Sequence, residues 1–233
     1  MKHPGVLMSE SIATTSYTKR TYGGVSGEER SRQRRERLIE AGLQVFGTLG
    51  HDKATMRDIC ASARLAERYF YENFSNIDDA FEAVHLVLTT QLQARMTEAI
   101  AGVANDTPLR KTATGLTAYY QFIQEDPRRA QILLLDAPRL GHNNVRQEGS
   151  AMNCFSHFMA SVVRQHSREL PHDMDIELVT TGLIGLAVQT GITWYHTGFQ
   201  APVAKIVDHN LYAWRGLAQW LDIQAERPMQ ATA

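Results

Sequence analysis

From Glu28 onward, apolar residues recur at three- and four-residue steps, and few stretches alternate with a period of two. A chain patterned this way buries one stripe per helix rather than one face per strand, so an all-α fold is expected. Of its 233 residues, 43% are hydrophobic, enough for one large domain or a small domain followed by a larger one. The two cysteines, Cys60 and Cys154, fall in separate helical stretches without metal-ligand spacing. That usage favours free buried thiols over a disulfide framework and offers no metal site. Residues 1–21 lack the apolar centre of a secretory signal, and no window approaches the roughly 20 apolar residues of a membrane span. The expectation is a cytoplasmic chain with no membrane partner.

Along the chain, residues 1–27 are rich in Ser, Thr, Gly and Tyr without periodicity, the composition of a disordered arm. A helix is expected over 28–49, with Leu38, Gly42, Val45 and Leu49 as its buried stripe. Its first turns carry Arg30, Arg32, Arg34, Arg35 and Arg37. Cations there oppose the helix dipole, so an external anion is the favoured reason for them, against a solvated face neutralised by nearby glutamates. Gly50 stops this helix, and Thr55 caps the next one, with Asp58 completing a capping box. A turn at Arg64, Leu65 and Ala66 leads into a second short helix over 66–73. Leu65, Phe70 and Phe74 then face inward, while Glu67, Arg68, Tyr69, Tyr71, Glu72 and Asn73 point outward or sideways. This is the layout of a helix-turn-helix whose second helix enters the DNA major groove. Charge agrees modestly: residues 19–75 hold 11 Lys and Arg against 8 Asp and Glu, a net of +3, whereas the whole chain is at −1.

With Ala41, Phe46, Gly50, Thr55, Ile59, Ala63, Leu65, Tyr71 and Phe74 in register, residues 38–84 resemble the DNA-binding domain of the TetR family of transcriptional regulators. The chain departs from the family pattern at Arg64, where the turn usually has glycine, at Ala66, where a serine cap is common, and at Ile77, where a phosphate-binding lysine is usual. The resemblance implies an N-terminal three-helix helix-turn-helix domain over 28–76 and a larger C-terminal helical ligand-binding and dimerisation domain over 77–233. It also implies a repressor that binds double-stranded DNA at a palindromic operator as a homodimer and is released by a small-molecule effector. Tyr71 and Asn73 would then bind phosphate, and Glu67, Arg68, Tyr69 and Glu72 would be the groups near base edges. Arg34 and Thr55 join them as expected DNA contacts. The chemistry fits, since Arg68 can donate two hydrogen bonds to guanine and Glu72 can accept from cytosine.

Behind this unit, a long helix starting near Ile77 is expected to carry a ligand-induced shift to the recognition helices. Further helices are expected over 109–124, 127–136, 144–169, 175–198 and 202–223, with a loop over 138–143. A pocket among the middle helices would be lined by Tyr119, Phe122, Met152, Phe155, Phe158 and Met159, with His157, Gln121 and Gln189 as polar contacts. Leu183, Ala187, Trp194, Val207 and Trp214 are the expected dimer face on the last two helices, which are the most apolar of the set. No phosphate loop, HExxH, CxxC or nucleophile motif occurs, so no enzyme, catalytic residue or cofactor is expected. The alternative is a helical partner- or ligand-binding protein without specific DNA binding.

Overall fold

The computed structural model describes residues 26–141, 156–157, 159–161, 163–164 and 173–226. Every regular element among them is helical, as the three- and four-residue spacing requires. The order is α1 (Gly27–Leu49), a 3₁₀ turn (His51–Lys53), α2 (Met56–Ala63), α3 (Glu67–Tyr71), α4 (Ile77–Ala101), α5 (Pro108–Glu125) and α6 (Pro127–Ala130). A π-helical segment (Gln131–Asp136) follows, then α7 (Ala137–Arg139), α8 (Ile176–His196) and α9 (Val203–Glu226). Residues 156–157, 159–161 and 163–164 are helical too. The disordered arm expected over 1–27 falls almost wholly outside the described residues, as does most of the helix expected over 144–169.

Local chemistry explains the boundaries. Ser26 caps α1, its Oγ accepting from the Glu29 amide at 3.0 Å. At the far end Gly50 takes φ 77°, a conformation that costs glycine little, and its amide donates to the Phe46 carbonyl. Asn76 accepts from the Asp79 amide to start α4, and Thr107 and Asp126 open α5 and α6, each followed by a proline in the first turn. One apolar core runs from Leu38 and Phe46 of α1 through Phe70, Phe81, Leu88 and Tyr120 to Trp194 and Trp214. The helix-turn-helix and the larger helical part therefore share packing.

Four expectations change. Leu49 is exposed rather than buried, because α1 ends just where the stripe would continue. The second short helix covers five residues instead of eight, since Asn73 and Phe74 both return their amides to Phe70 and tighten the end. The helix expected over 127–136 passes through a π turn and runs on to Arg139, taking in part of the supposed loop. Lastly, α8 is long and apolar enough by length and composition to cross a membrane, although no such window was expected. Its glycines and threonines hide that from a search for an unbroken apolar run. In the fold its Thr180, Ile184, Ala187, Gly191 and Trp194 are buried against the chain's own core.

Candidate nucleic-acid interface

Thr55 and Asp58 fix where α2 begins. Thr55 Oγ1 accepts from the Asp58 amide at 3.2 Å, and the Asp58 carboxylate accepts from both the Thr55 amide and its hydroxyl. That hydroxyl has one proton and it goes to Asp58, so Thr55 acts here as a cap with no donor left for phosphate. The turn to α3 pivots on Arg64 at φ 52° and ψ 49°, in the left-handed region where glycine is usual. Ala66 precedes α3 without a side-chain cap. Phe70 and Phe74 are buried beneath α3, which turns its other side outward.

On that outer side Tyr71 is 61% exposed, a large aromatic ring presented to water without cover. Glu67, Arg68 and Glu72 are exposed beside it. Tyr69 is half-buried and held between two cations: the Arg34 guanidinium lies 4.7 Å and that of Arg68 4.6 Å from its ring centre. Arg68 also donates to the Tyr69 hydroxyl at 2.6 Å, and Arg34 approaches Glu72 at 3.8 Å. Glu67 pairs with Arg57 of α2 at 3.4 Å. Asn73 spends one amide N–H on the Tyr69 carbonyl at 2.7 Å. The face is thus preorganised: Arg68 is aimed along a ring, not left to swing, and the Arg34 stack ties α1 to α3.

The arginines of α1 have an internal explanation that the sequence did not disclose. Arg37 donates to the Ala63 carbonyl at the end of α2, and Arg35 donates to the Asn73 carbonyl at 3.3 Å while stacking on Phe74. These are cations at the carbonyl ends of other helices, where the helix dipole favours them. Arg32 is paired with Glu29. The external anion invoked for the cluster is therefore not needed for Arg32, Arg35 or Arg37.

The other expected sites fare unevenly. Tyr119 and Phe122 are buried on α5 and Met159 is buried nearby, but Gln121, His157 and Gln189 are exposed, so they do not line the same interior. Met152, Phe155 and Phe158 lie outside the described residues. The tyrosine hydroxyl of Tyr119, Oδ1 of Asn210 and Nε1 of Trp214 are buried with no hydrogen-bond partner among the described residues. Asn210 and Trp214 had not been singled out as polar contacts; only their pairing state, which no sequence pattern carries, marks them. Of the expected dimer face, Ala187, Trp194, Val207 and Trp214 are buried in the chain's own core, and Leu183 is half-buried. Those four are spent within the chain. The surfaces that α8 and α9 leave open instead carry Leu178, Leu186, Tyr212 and Trp220.

Residues 38–84, from α1 into α4, match the sequence model of the family described as bacterial regulatory proteins, tetR family. The chain matches none of the curated proteins. Among solved structures, a TetR-like transcriptional regulator from Rhodococcus sp. RHA1 shares the fold with a TM-score of 0.60 at 20% identity, covering 79% of this chain and 96% of that one. The transcriptional regulator FadR from Bacillus subtilis, solved with stearoyl-CoA, has a TM-score of 0.65 at 18% identity over 76% of this chain and 95% of its own. A TetR-family regulator from Syntrophomonas wolfei gives 0.60 at 11% identity over 86% and 99%. The matched segment is the one that builds the capped α2, the turn and the tyrosine-bearing α3, and the shared fold extends over 76–86% of the chain. Residues 38–84 thus match the tetR family of bacterial regulatory proteins, and the chain as a whole shares its fold with solved TetR-like transcriptional regulators.

Proposed function

We propose that this chain is a DNA-binding transcriptional regulator, a repressor that binds a palindromic operator as a homodimer in the bacterial cytoplasm and is released by a small-molecule effector. The observation that carries the DNA contact is the outer face of α3, where Tyr71 stands exposed beside Arg68, itself stacked on Tyr69. Arg68 presents a planar donor pair suited to guanine, Glu72 an acceptor suited to cytosine, and Tyr71 a hydroxyl for phosphate. Asn73 keeps one N–H for the backbone, Glu67 and Tyr69 frame the reading edge, and Arg34 holds that edge in place. In this division residues 28–76 contact DNA and residues 77–233 bind the effector and the second copy.

Two supports bear on the second part. Exposed apolar side chains on α8 and α9, with open space at Gly182, Gly185 and Gly216, suit close approach of another copy. The unpartnered Tyr119, Asn210 and Trp214 groups each carry a cost of about 1–3 kcal/mol until something satisfies them. An apolar effector carrying a polar atom within reach of any one of them would satisfy that group. The structural relative from Bacillus subtilis was solved with stearoyl-CoA, which sets acyl-CoA esters beside simpler apolar compounds for screening.

The deciding experiment is selection of bound duplexes from a random pool, followed by anisotropy titration at several salt concentrations. A two-fold-symmetric site whose affinity falls steeply with salt is expected. Arg68→Ala should cost about 1–3 kcal/mol and relax preference at one base pair per half-site. If Arg68→Ala and Tyr71→Phe together leave binding unchanged, this reading face is wrong.

A further inference from the structure

The corner between α1 and α2 is held by groups from three other parts of the chain. The His51 amide donates to Asp136 Oδ2 at 3.1 Å, and the His51 ring nitrogen Nε2 lies 2.8 Å from Asp78 Oδ1 at the start of α4. Gly50 lies beside these groups, since a Cβ there would stand in ordinary contact with Gln131 Nε2 at 3.5 Å. Slightly upstream, a Cβ on Gly47 would come within 2.8 Å of the Arg128 Cα, so α1 and α6 touch backbone to backbone. Arg128 also donates to Gln44 Oε1 at 2.6 Å.

Asp136 is 2% exposed, and its other oxygen accepts from Gln131 Nε2 at 3.0 Å. Gln131 in turn accepts at Oε1 from the Tyr195 hydroxyl on α8, at 3.3 Å. An unbroken chain of hydrogen bonds therefore runs Tyr195, Gln131, Asp136, His51. It depends on the π turn. In an α-helix, residues five apart lie roughly 140° from each other around the axis. Bonding from i to i+5 brings them back onto one side, which lets Gln131 reach Asp136. If the segment rewound to α, that pair would part, and the buried carboxylate would lose a donor at substantial cost.

We propose that Gln131, Asp136 and Tyr195 are positioning residues for DNA binding: their hydrogen-bonded strut fixes the His51 corner, and with it the helix-turn-helix, relative to α8. The proposal rests on the DNA-binding reading above and adds to it a connection that bypasses the length of α4. The contacts of Tyr195 are with Gln131, His196 and Phe199, none of them on the reading face, and its hydroxyl is already donated to Gln131.

The test uses the full chain with Tyr195→Phe, Gln131→Met and the double variant. Three readouts are taken: operator affinity by anisotropy, melting temperature, and hydrogen exchange of the peptide bearing the His51 amide against peptides from α2. Each single variant is expected to weaken operator binding by about five-fold or more, the lower end of ordinary site-to-site coupling. His51 exchange should accelerate relative to α2, and the double variant should be no worse than Gln131→Met alone. A lowered melting temperature with operator affinity and relative His51 exchange unchanged would overturn the proposal, as would additive effects in the double variant. Should the unmodified chain bind no duplex, the DNA-binding reading fails by itself, and the exchange measurement still decides whether the strut holds the corner.

Discussion

Arg64 occupies the left-handed region without the freedom of glycine, and no packing partner needs its side chain to stay there. That conformation costs a residue with a Cβ roughly 1–2 kcal/mol, against about 0.5–1 kcal/mol of extra chain entropy lost by glycine. Arg64→Gly should therefore raise stability by about 0.5–1 kcal/mol, read as a higher urea midpoint with an unchanged slope. Tyr119 is the opposite kind of residue, buried and well packed but with an idle hydroxyl. Tyr119→Phe removes an unsatisfied polar atom and should leave the melting temperature equal or slightly higher. The same change should blunt release from the operator by any effector that bonds to this hydroxyl, measured as a right-shifted dose curve. Residue-scale features were legible in the sequence wherever the partners are close neighbours: Thr55 with Asp58, Gly50 at its helix end. Arg35 and Arg37 were not, because the carbonyls they bond lie 38 and 26 residues further along the chain. Composition marks such a cluster as unusual and says nothing about where it turns.

At the level of elements, the junction of α1 with α6 depends on charge as well as on packing. Asp126 caps α6 and binds the Arg128 guanidinium, which reaches across to Gln44 of α1. The hydrogen bond from Arg128 holds the Asp126 carboxyl below the usual aspartate range, more strongly than its burial raises it. Its folded value thus lies under the unfolded one of about 3.9. Stability from this group is fully present above that pH and is lost as pH falls through the folded value. Urea midpoints of the native chain and Asp126→Asn should differ by a constant amount from pH 5 to 7 and converge below about pH 4. A gap that stays constant down to pH 3 would remove Asp126 from the junction. Helix number and most boundaries were legible because caps and prolines punctuate the chain. The π segment was not, since Gln131–Asp136 reads as an ordinary apolar run and only its docking against Gly50 and His51 draws out the extra residue per turn.

For the whole molecule, the informative quantity is what the fold leaves uncovered. Periodicity found the apolar stripes of α8 and α9 correctly, yet it could not say whether a stripe faces the chain's own core or a second chain. Ala187, Trp194, Val207 and Trp214 went inward. Leu178 at 70% exposure, Tyr212 at 63%, and Leu186 and Trp220 at 42% each remain outside, where a second copy of the chain would cover them. On the proposed reading of a palindromic operator, two α3 helices must also sit about 34–36 Å apart, and a two-fold arrangement of two copies fixes that spacing. Gly185 separates the two consequences cleanly, because a Cβ there meets nothing within 4 Å among the described residues. Gly185→Arg should leave the fold intact, with far-UV circular dichroism unchanged and a melting temperature no lower than that of the isolated subunit. Between two copies, however, it would bury an unpaired cation, so sedimentation equilibrium should show a monomer where the native chain is expected to sediment as a dimer. Operator affinity should fall with it, towards the salt-dependent, sequence-blind level of a single helix-turn-helix. A Gly185→Arg chain that sediments as a dimer and binds its operator normally would move the interface to another face of the molecule.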